Sequence, residues 1–120
     1  MITSLSAALL LAAQSPSAEP KPNPVPLSQQ NKAVIRCSAA FAMVSYGQSY
    51  GNPAAKKWPA LGTRGREFFV VALAGLMDDT GLGREGVSQL VSDEARRLWD
   101  NGEIDQVMPA CLLMLEASGV

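Results

Sequence analysis

The sequence predicts an all-α fold, a small four-helix bundle cross-linked by one disulfide. The helices are expected to pack antiparallel, and an orthogonally skewed packing is the alternative. Three observations support this class. Apolar side chains recur at helical spacing in four segments of residues 29–120. A composition of 48% hydrophobic and 18% charged residues is typical of a globular domain, and β-branched runs are rare. Two cysteines lie near opposite ends of the same region. We therefore expect one helical domain over residues 29–120.

The first helix is predicted from four apolar side chains at 3-4-3 spacing, which are Val34, Cys37, Phe41 and Val44. Ser28 or Asn31 can act as its N-cap, because both side chains accept hydrogen bonds from free backbone amides. Gly47 and Gly51 are expected to end it. The following segment, "GNPAAKKWPALG", carries two prolines and predicts a loop with at most one short helical turn.

The second and third helices are separated by a glycine-containing turn. Thr63 is the expected N-cap of the second helix, whose broad apolar band predicts a central position in the bundle. That band comprises Phe69, Val70, Leu73, Leu76 and Met77. The third helix is predicted over residues 84–99, with Asn101 and Gly102 ending it. On its outer face, Asp93 and Arg97 are four residues apart and are expected to pair.

The last segment keeps helical spacing but contains a proline. Its apolar positions are Ile104, Val107, Met108, Cys111 and Leu115. Because proline inside a helix costs about 3 kcal/mol and is tolerated in the first turn, Pro109 predicts a break or a kink near Met108. We expect a short turn followed by a final helix over residues 109–117.

Cys37 and Cys111 are the two cysteines of the chain, and an even count in an exported protein favours a disulfide. The small residues beside them allow two helices to approach to the Cα separation that a disulfide needs, about 5.5–6 Å. The alternative is two buried, reduced thiols that behave as small apolar side chains. No metal site is expected, because the chain has no histidine and two thiolates do not complete a zinc site.

The amino terminus resembles a targeting segment in its pattern. Residues 1–14 carry no charged side chain, and residues 5–13 form an apolar run of the length typical of a signal-peptide core. We assign residues 1–18 to a signal peptide, with cleavage after Ser15 or Ala18, and expect an exported protein, periplasmic or secreted. The alternative is an apolar helix packed on the domain.

Residues 19–28 form a proline-rich spacer, within a stretch in which five of the chain's eight prolines fall between residues 16 and 26. Alternating prolines exclude a helix and favour an extended polyproline conformation. A spacer between a removed signal and a folded domain needs no partner. The alternative is a ligand for a proline-binding module.

Charge is divided unevenly along the chain. Residues 19–67 carry seven basic and two acidic side chains, whereas residues 68–120 carry three basic and nine acidic ones. In a compact bundle this asymmetry indicates that basic and acidic elements lie side by side; the alternative is that it steers a charged partner. Nucleic-acid binding is not expected, since no cluster of basic and aromatic residues exceeds the short group at Lys56, Lys57 and Trp58.

Two patterns invite a chemical interpretation that their context does not support. Gly81, Gly83 and Gly86 match a dinucleotide-binding fingerprint, but a helix precedes them where a strand is required, so they predict a turn with Gly81 as a C-cap. Asp78 and Asp79 are adjacent and do not converge on one substrate. We expect one of them to cap the turn, or both to meet arginines, with Arg64, Arg66 and Arg84 as candidates. No cofactor is expected.

The first loop is the leading candidate for a contact site. Its aromatic and basic side chains are Tyr46, Tyr50, Lys56, Lys57 and Trp58. The alternative is that Trp58 only folds back to close the bundle. We expect a non-enzymatic protein-interaction or inhibitor-like module whose mature form has no stable membrane insertion. The alternatives are a carrier of a small apolar ligand between the helices and an enzyme that uses Asp and Arg residues.

Overall fold

The computed structural model describes residues 26–120, which form five α-helices and, within that range, no β-strand. The helices are α1 (Gln29–Ser49), α2 (Pro53–Lys56), α3 (Arg64–Thr80), α4 (Arg84–Asp100) and α5 (Ile104–Ala117). The predicted all-α class is confirmed, with α2 as a single turn inside the first loop. The proposed signal peptide and residues 19–25 of the spacer lie outside the described residues, so those boundaries stay predictions.

The first helix, α1, is central to the bundle, because each of the other four helices packs against it. Residues 37–41 are all buried, so the middle of α1 is covered on every side. Its small side chains, Ser38, Ala39 and Ala40, allow neighbouring helices to approach closely. The expectation that α3 is central was wrong: Val70 and Val71 on α3 are 60% and 62% exposed. The broad apolar band of α3 is only partly covered by its neighbours.

The ends of α1 follow ordinary capping chemistry. The Ser28 hydroxyl accepts a hydrogen bond from the Asn31 amide at 3.0 Å, as expected for an N-cap. At the other end, Gly51 adopts φ +73°, the left-handed conformation that glycine adopts readily. Gly47 does not end the helix, contrary to prediction. It lies within α1, where an added Cβ would be 2.8 Å from the Ala55 Cβ of α2, so it permits close packing of α2.

The start of α3 and the turn between α3 and α4 differ in part from expectation. Thr63 is at the N-cap position, but its hydroxyl makes no capping bond because its backbone is already helical. Gly81 ends α3 with φ +72°, as predicted. The turn is held by Thr80, whose hydroxyl donates to the Leu76 carbonyl and accepts from the Leu82 amide. Threonine therefore fills the role expected of the neighbouring aspartates.

α5 is continuous through Pro109, so the predicted break near Met108 was wrong. Proline removes one hydrogen bond, which leaves the backbone carbonyl of Asp105 without its usual donor. Both residues are exposed, so water can reach that carbonyl. Met108, Cys111 and Leu115 are buried on either side of the proline along the helix. Their burial offsets the cost of the missing bond.

The outer face of α4 carries a different ion pair from the predicted one. Arg97 binds Glu94 at 2.6 Å and Glu103 at 3.0 Å. Asp93 instead accepts a hydrogen bond from Gln89. Glu103 comes within reach because the chain reverses after α4, where the Glu103 amide donates to the Leu98 carbonyl. The hydrogen bonds that Arg97 donates to the Glu94 carboxylate are the main reason that the pKa of Arg97 is raised above its ordinary value.

The disulfide between Cys37 and Cys111 joins the middle of α1 to α5, with a Cα to Cα separation of 5.1 Å. Both cysteines are almost fully buried, at 3% and 1% exposure. The bond closes a loop of sequence separation 74 and so links the first and last long helices. The predicted pairing is confirmed, and it is consistent with an oxidising compartment.

Candidate binding groove

A surface groove of about 770 Å³ lies where the carboxyl end of α1 meets α2, the end of α4 and the start of α5. Four aromatic side chains line it, Tyr46, Tyr50, Trp58 and Trp99, and we call it the aromatic groove. Met43, Ala55, Leu98 and Ile104 also contribute to its lining. The groove is therefore a predominantly apolar surface assembled from four helices and one loop.

The aromatic residues of the chain are divided between this groove and the core. The chain has two tyrosines, two tryptophans and three phenylalanines. Both tyrosines and both tryptophans line the groove. Phe41 and Phe68 are buried and pack edge to face, with ring centroids 5.1 Å apart. Rings that carry a polar atom thus face the groove, where that atom can reach a ligand or water.

Tyr46 and Tyr50 form one wall of the aromatic groove. They are four residues apart, which places them on one side of α1 and its C-cap, with ring centroids 4.7 Å apart. They are 65% and 74% exposed. A pair of large rings left exposed on a helix that is otherwise central is a feature typical of a recognition surface.

Trp58 is half-buried and is fixed by contacts with the start of α5. Its ring nitrogen donates to Asp105 Oδ1 at 3.2 Å. Lys57 Nζ binds Asp105 Oδ2 at 2.6 Å and lies 5.3 Å from the centre of the Trp58 ring. The bond from Lys57, followed by the one from Trp58, lowers the pKa of the Asp105 carboxyl below its ordinary value. The carboxylate therefore ties the loop to α5.

The Gln48 side chain holds the loop between α1 and α3 in place through hydrogen bonds to its backbone. Its side-chain amide nitrogen donates to three backbone carbonyls, those of Ala55, Trp58 and Pro59, at 2.8 to 3.2 Å. Its side-chain oxygen accepts from the Leu61 amide at 3.0 Å. The carbonyls of Trp58 and Pro59 and the amide of Leu61 have no backbone partner within residues 26–120, so one glutamine supplies bonds that secondary structure would otherwise provide. The position of the Trp58 ring depends on these contacts.

The loop residues predicted from sequence are brought together only in part. Tyr46, Tyr50 and Trp58 line the groove, and Trp58 also packs against the core, as the alternative interpretation expected. Lys57 adjoins the groove through Asp105. Lys56, the last residue of α2, is exposed and is not part of the lining. Their role in binding a partner stays a prediction.

Three important residues were missed by the sequence analysis: Gln48, Trp99 and Asp105. Gln48 continues the 3-4-3 apolar stripe of α1 by one further step of four, and a polar residue on a buried stripe indicates a structural hydrogen bond. Trp99 follows the buried Leu98 and is 64% exposed, so it lies off the apolar face of α4. No sequence signal linked Asp105 to a loop nearly fifty residues earlier.

The other residues considered for chemistry are not joined by ion pairs within residues 26–120. Asp78 and Asp79 are exposed and form no ion pair there, whereas Arg64 pairs with Glu116 at 2.9 Å. In the same range, no three acidic or cysteine side chains are grouped so as to hold a metal ion. No helix of this range has both the length and the apolar character needed to cross a bilayer.

Comparison with protein-family models, curated proteins and solved structures gave no match. Function is therefore inferred from the geometry of the aromatic groove.

Proposed function

We propose that this protein is an exported, non-enzymatic interaction module, inhibitor-like in its action, that binds a partner protein in the aromatic groove. The observation that carries the proposal is the gathering of all four tyrosine and tryptophan side chains at one open groove. Tyr46, Tyr50 and Trp99 are each more than 60% exposed. Tryptophan and tyrosine are the residues most enriched among those that dominate protein-binding energy.

Export to a periplasmic or extracellular space is supported by two independent features. The amino-terminal pattern is that of a signal peptide, with an apolar run followed by small residues. The buried disulfide is a bond that persists in oxidising compartments and is rare in reducing ones. A small domain that a disulfide stabilises is well suited to such a compartment.

A carrier of a small apolar ligand is the second candidate, and the size of the groove favours it. Its volume of about 770 Å³ lies within the range of small-molecule sites, roughly 300–1,000 Å³. Native mass spectrometry of protein purified without detergent separates the two functions. A retained ligand that is lost in Trp99→Ala supports the carrier, whereas unliganded protein that still captures a partner protein excludes it.

Affinity capture from native extract tests the interaction module directly. Wild-type protein is compared with Tyr50→Ala and Trp99→Ala, which remove exposed rings from the groove, and with Leu113→Ala as a matched control. Leu113 is 73% exposed on α5 and is not part of the groove lining. We expect one protein to be recovered by wild type and Leu113→Ala but not by the groove variants. Equal recovery by all four would contradict the proposal.

A further inference from the structure

The aromatic groove presents hydrogen-bond donors and ring faces to a ligand. Within residues 26–120, the hydroxyls of Tyr46 and Tyr50 and the ring nitrogen of Trp99 donate no hydrogen bond to another residue. Two further donors in the lining, the side-chain amide nitrogen of Asn52 and the guanidinium of Arg96, also have no acceptor in that range. The amide and carboxylate oxygens in the lining are already engaged, since Asn52 accepts from the Ala54 amide and Asp105 from Lys57 and Trp58. A ligand for this groove should therefore present apolar rings to the aromatic side chains and free hydrogen-bond acceptors to the donors of the groove. It should carry few hydrogen-bond donors of its own, because the groove offers few free acceptors.

An extended proline-rich peptide has this chemistry. In a polyproline II helix the backbone carbonyls make no internal hydrogen bond, proline has no amide hydrogen to satisfy, and its ring stacks on aromatic faces. A partner helix uses its backbone carbonyls internally, so only its side chains could accept from these donors. Addition of a strand requires an open sheet edge, and residues 26–120 contain no strand. The groove chemistry thus favours the proline-rich class.

The chain itself contains such a peptide. Residues 19–26, "EPKPNPVP", carry Pro20, Pro22, Pro24 and Pro26 and remain in the exported chain after either predicted cleavage. We propose that the aromatic groove binds this proline-rich segment of a second copy of the protein. The inference rests on the proposed function, because it takes the aromatic groove to be a site for a polypeptide and specifies its occupant.

The length of α1 favours a second copy over the same chain. At about 1.5 Å per residue, the helix from the Ser28 cap to Tyr46 is about 27 Å long. An extended chain at roughly 3.1 Å per residue would carry Pro22 about 19 Å and Pro24 about 12 Å from Ser28, which lies at the opposite end of that helix. The central prolines, Pro22 and Pro24, would therefore stop well short of the groove of their own chain. In another copy, all four prolines can reach the rings.

Peptide titration of the full-length protein tests the chemistry. Both tryptophans of the chain line the groove, so tryptophan emission reports its occupancy. A synthetic peptide of residues 19–28 is added up to about 1 mM. We expect a saturable change in emission with wild type and Leu113→Ala. In Tyr50→Ala, binding should weaken about tenfold or more. A peptide with alanine at the four proline positions should give no saturable change.

Three outcomes of the titration would overturn the proposal. They are no saturable change with the native peptide, equal binding by the alanine peptide, and equal affinity in Tyr50→Ala. Circular dichroism of each variant confirms that the helices are intact. If the peptide fails while partner capture still depends on Tyr50 and Trp99, the proposed function stands and this inference falls.

Sedimentation of the full-length protein tests the second-copy step. We expect the apparent mass of wild type to rise with concentration and that of a Pro22→Ala, Pro24→Ala variant to remain monomeric. Wild type that stays monomeric at concentrations several times the measured peptide Kd would contradict the second copy. A proline-rich segment of another protein would then be the occupant.

Discussion

At the scale of single residues, Gln48 is the side chain on which the aromatic groove depends. It makes hydrogen bonds to four backbone groups of the loop that carries Trp58. No apolar residue of the same size can replace these bonds, because the loop carbonyls would lose a partner in a partly buried place. The loop conformation is thus set by one side chain of α1.

Gln48→Met keeps the length of the side chain and removes its hydrogen bonds. We expect the free energy of unfolding to fall by about 2 kcal/mol, since the partly buried Trp58 carbonyl and Leu61 amide are left unpaired. The matched control is Gln89→Met on α4, whose glutamine contacts only Asp93 at the surface and should change stability by less than about 0.5 kcal/mol. Chemical denaturation measures both. Equal stability of the two variants would show that the Gln48 bonds contribute little.

The Asp105 carboxyl should make the loop sensitive to acid. Its pKa is lowered in the folded state, chiefly by the hydrogen bond from Lys57 and then by that from Trp58. Its contribution to stability is therefore fully present above the ordinary carboxyl pKa, about 4, and is lost as pH falls from there through the lowered value. Asp105→Asn keeps an acceptor for Trp58 but does not ionise.

We expect the stability difference between wild type and Asp105→Asn to be constant above about pH 5 and to shrink below about pH 4. Denaturation curves at a series of pH values measure this difference. A difference that is the same at acidic and neutral pH would contradict the assigned contact between Lys57 and Asp105.

Residue-level chemistry was predictable where it is local. The Ser28 cap and the Gly81 terminus follow from residue type and spacing. The pairing of Cys37 with Cys111 is not local, and it was predictable because the chain has only these two cysteines. The contact of Asp105 with Lys57 and Trp58 joins distant parts of the chain, so it depends on how α5 packs. Local patterns carry no information about such a contact.

At the scale of helices, the close packing of α2 on α1 depends on Gly47. A Cβ at this position would lie 2.8 Å from the Ala55 Cβ, too close for an ordinary contact. Gly75 of α3 offers a matched comparison, because an added Cβ there meets nothing within 4 Å. Both glycines lie inside helices, where alanine is intrinsically favoured by up to about 1 kcal/mol.

We expect Gly47→Ala to destabilise the protein by about 1–3 kcal/mol, because the displacement of α2 outweighs the gain in helix propensity. Gly75→Ala should stabilise it by up to about 1 kcal/mol. Thermal denaturation of both variants checks the opposite signs. If Gly47→Ala were as stabilising as Gly75→Ala, this result would contradict the close packing of α2 against Gly47 of α1.

The positions of the helices along the chain were predicted well, but the sequence did not predict which helix faces are covered by neighbouring helices. Periodicity located four long helices, because apolar side chains repeat with the helical period. It did not show that the small residues of α1 allow neighbours on every side, nor that Val70 and Val71 stay exposed on α3. Helix propensity also predicted a break at Pro109 that the structure does not have. The hydrogen bond that proline removes lies on an exposed face, and the burial of neighbouring residues of α5 offsets its loss.

At the scale of the whole molecule, the disulfide joins the helix at the centre of the bundle to the last helix. A domain of this size has a small core, so a covalent link is a large part of its stability. Replacing both cysteines, as Cys37→Ala with Cys111→Ala, should lower the free energy of unfolding by about 4 kcal/mol, against a usual total of roughly 5–15 kcal/mol.

Chemical denaturation of the double variant and of oxidised wild type measures this loss, and circular dichroism before denaturation reports whether the helices persist. A double variant within about 1 kcal/mol of wild type would contradict the stabilising role of the bond. Rapid alkylation of both cysteines in native, unreduced protein would contradict the bond itself.

The groove also belongs to the whole molecule, because α1, α2, α4 and α5 each contribute to it. Its formation therefore requires the folded bundle, and a binding function located there should be lost together with the fold. Variants at exposed rings separate the two effects, since they leave the core unchanged.

The most direct test of a polypeptide-binding groove is photo-crosslinking in the living host. A photoreactive phenylalanine analogue is placed at Tyr50 in the groove and, as a control, at the equally exposed Leu113 on α5. We expect irradiation to yield a discrete covalent adduct with a protein from position 50 and none from position 113. No adduct from position 50, or the same adduct from both positions, would contradict it.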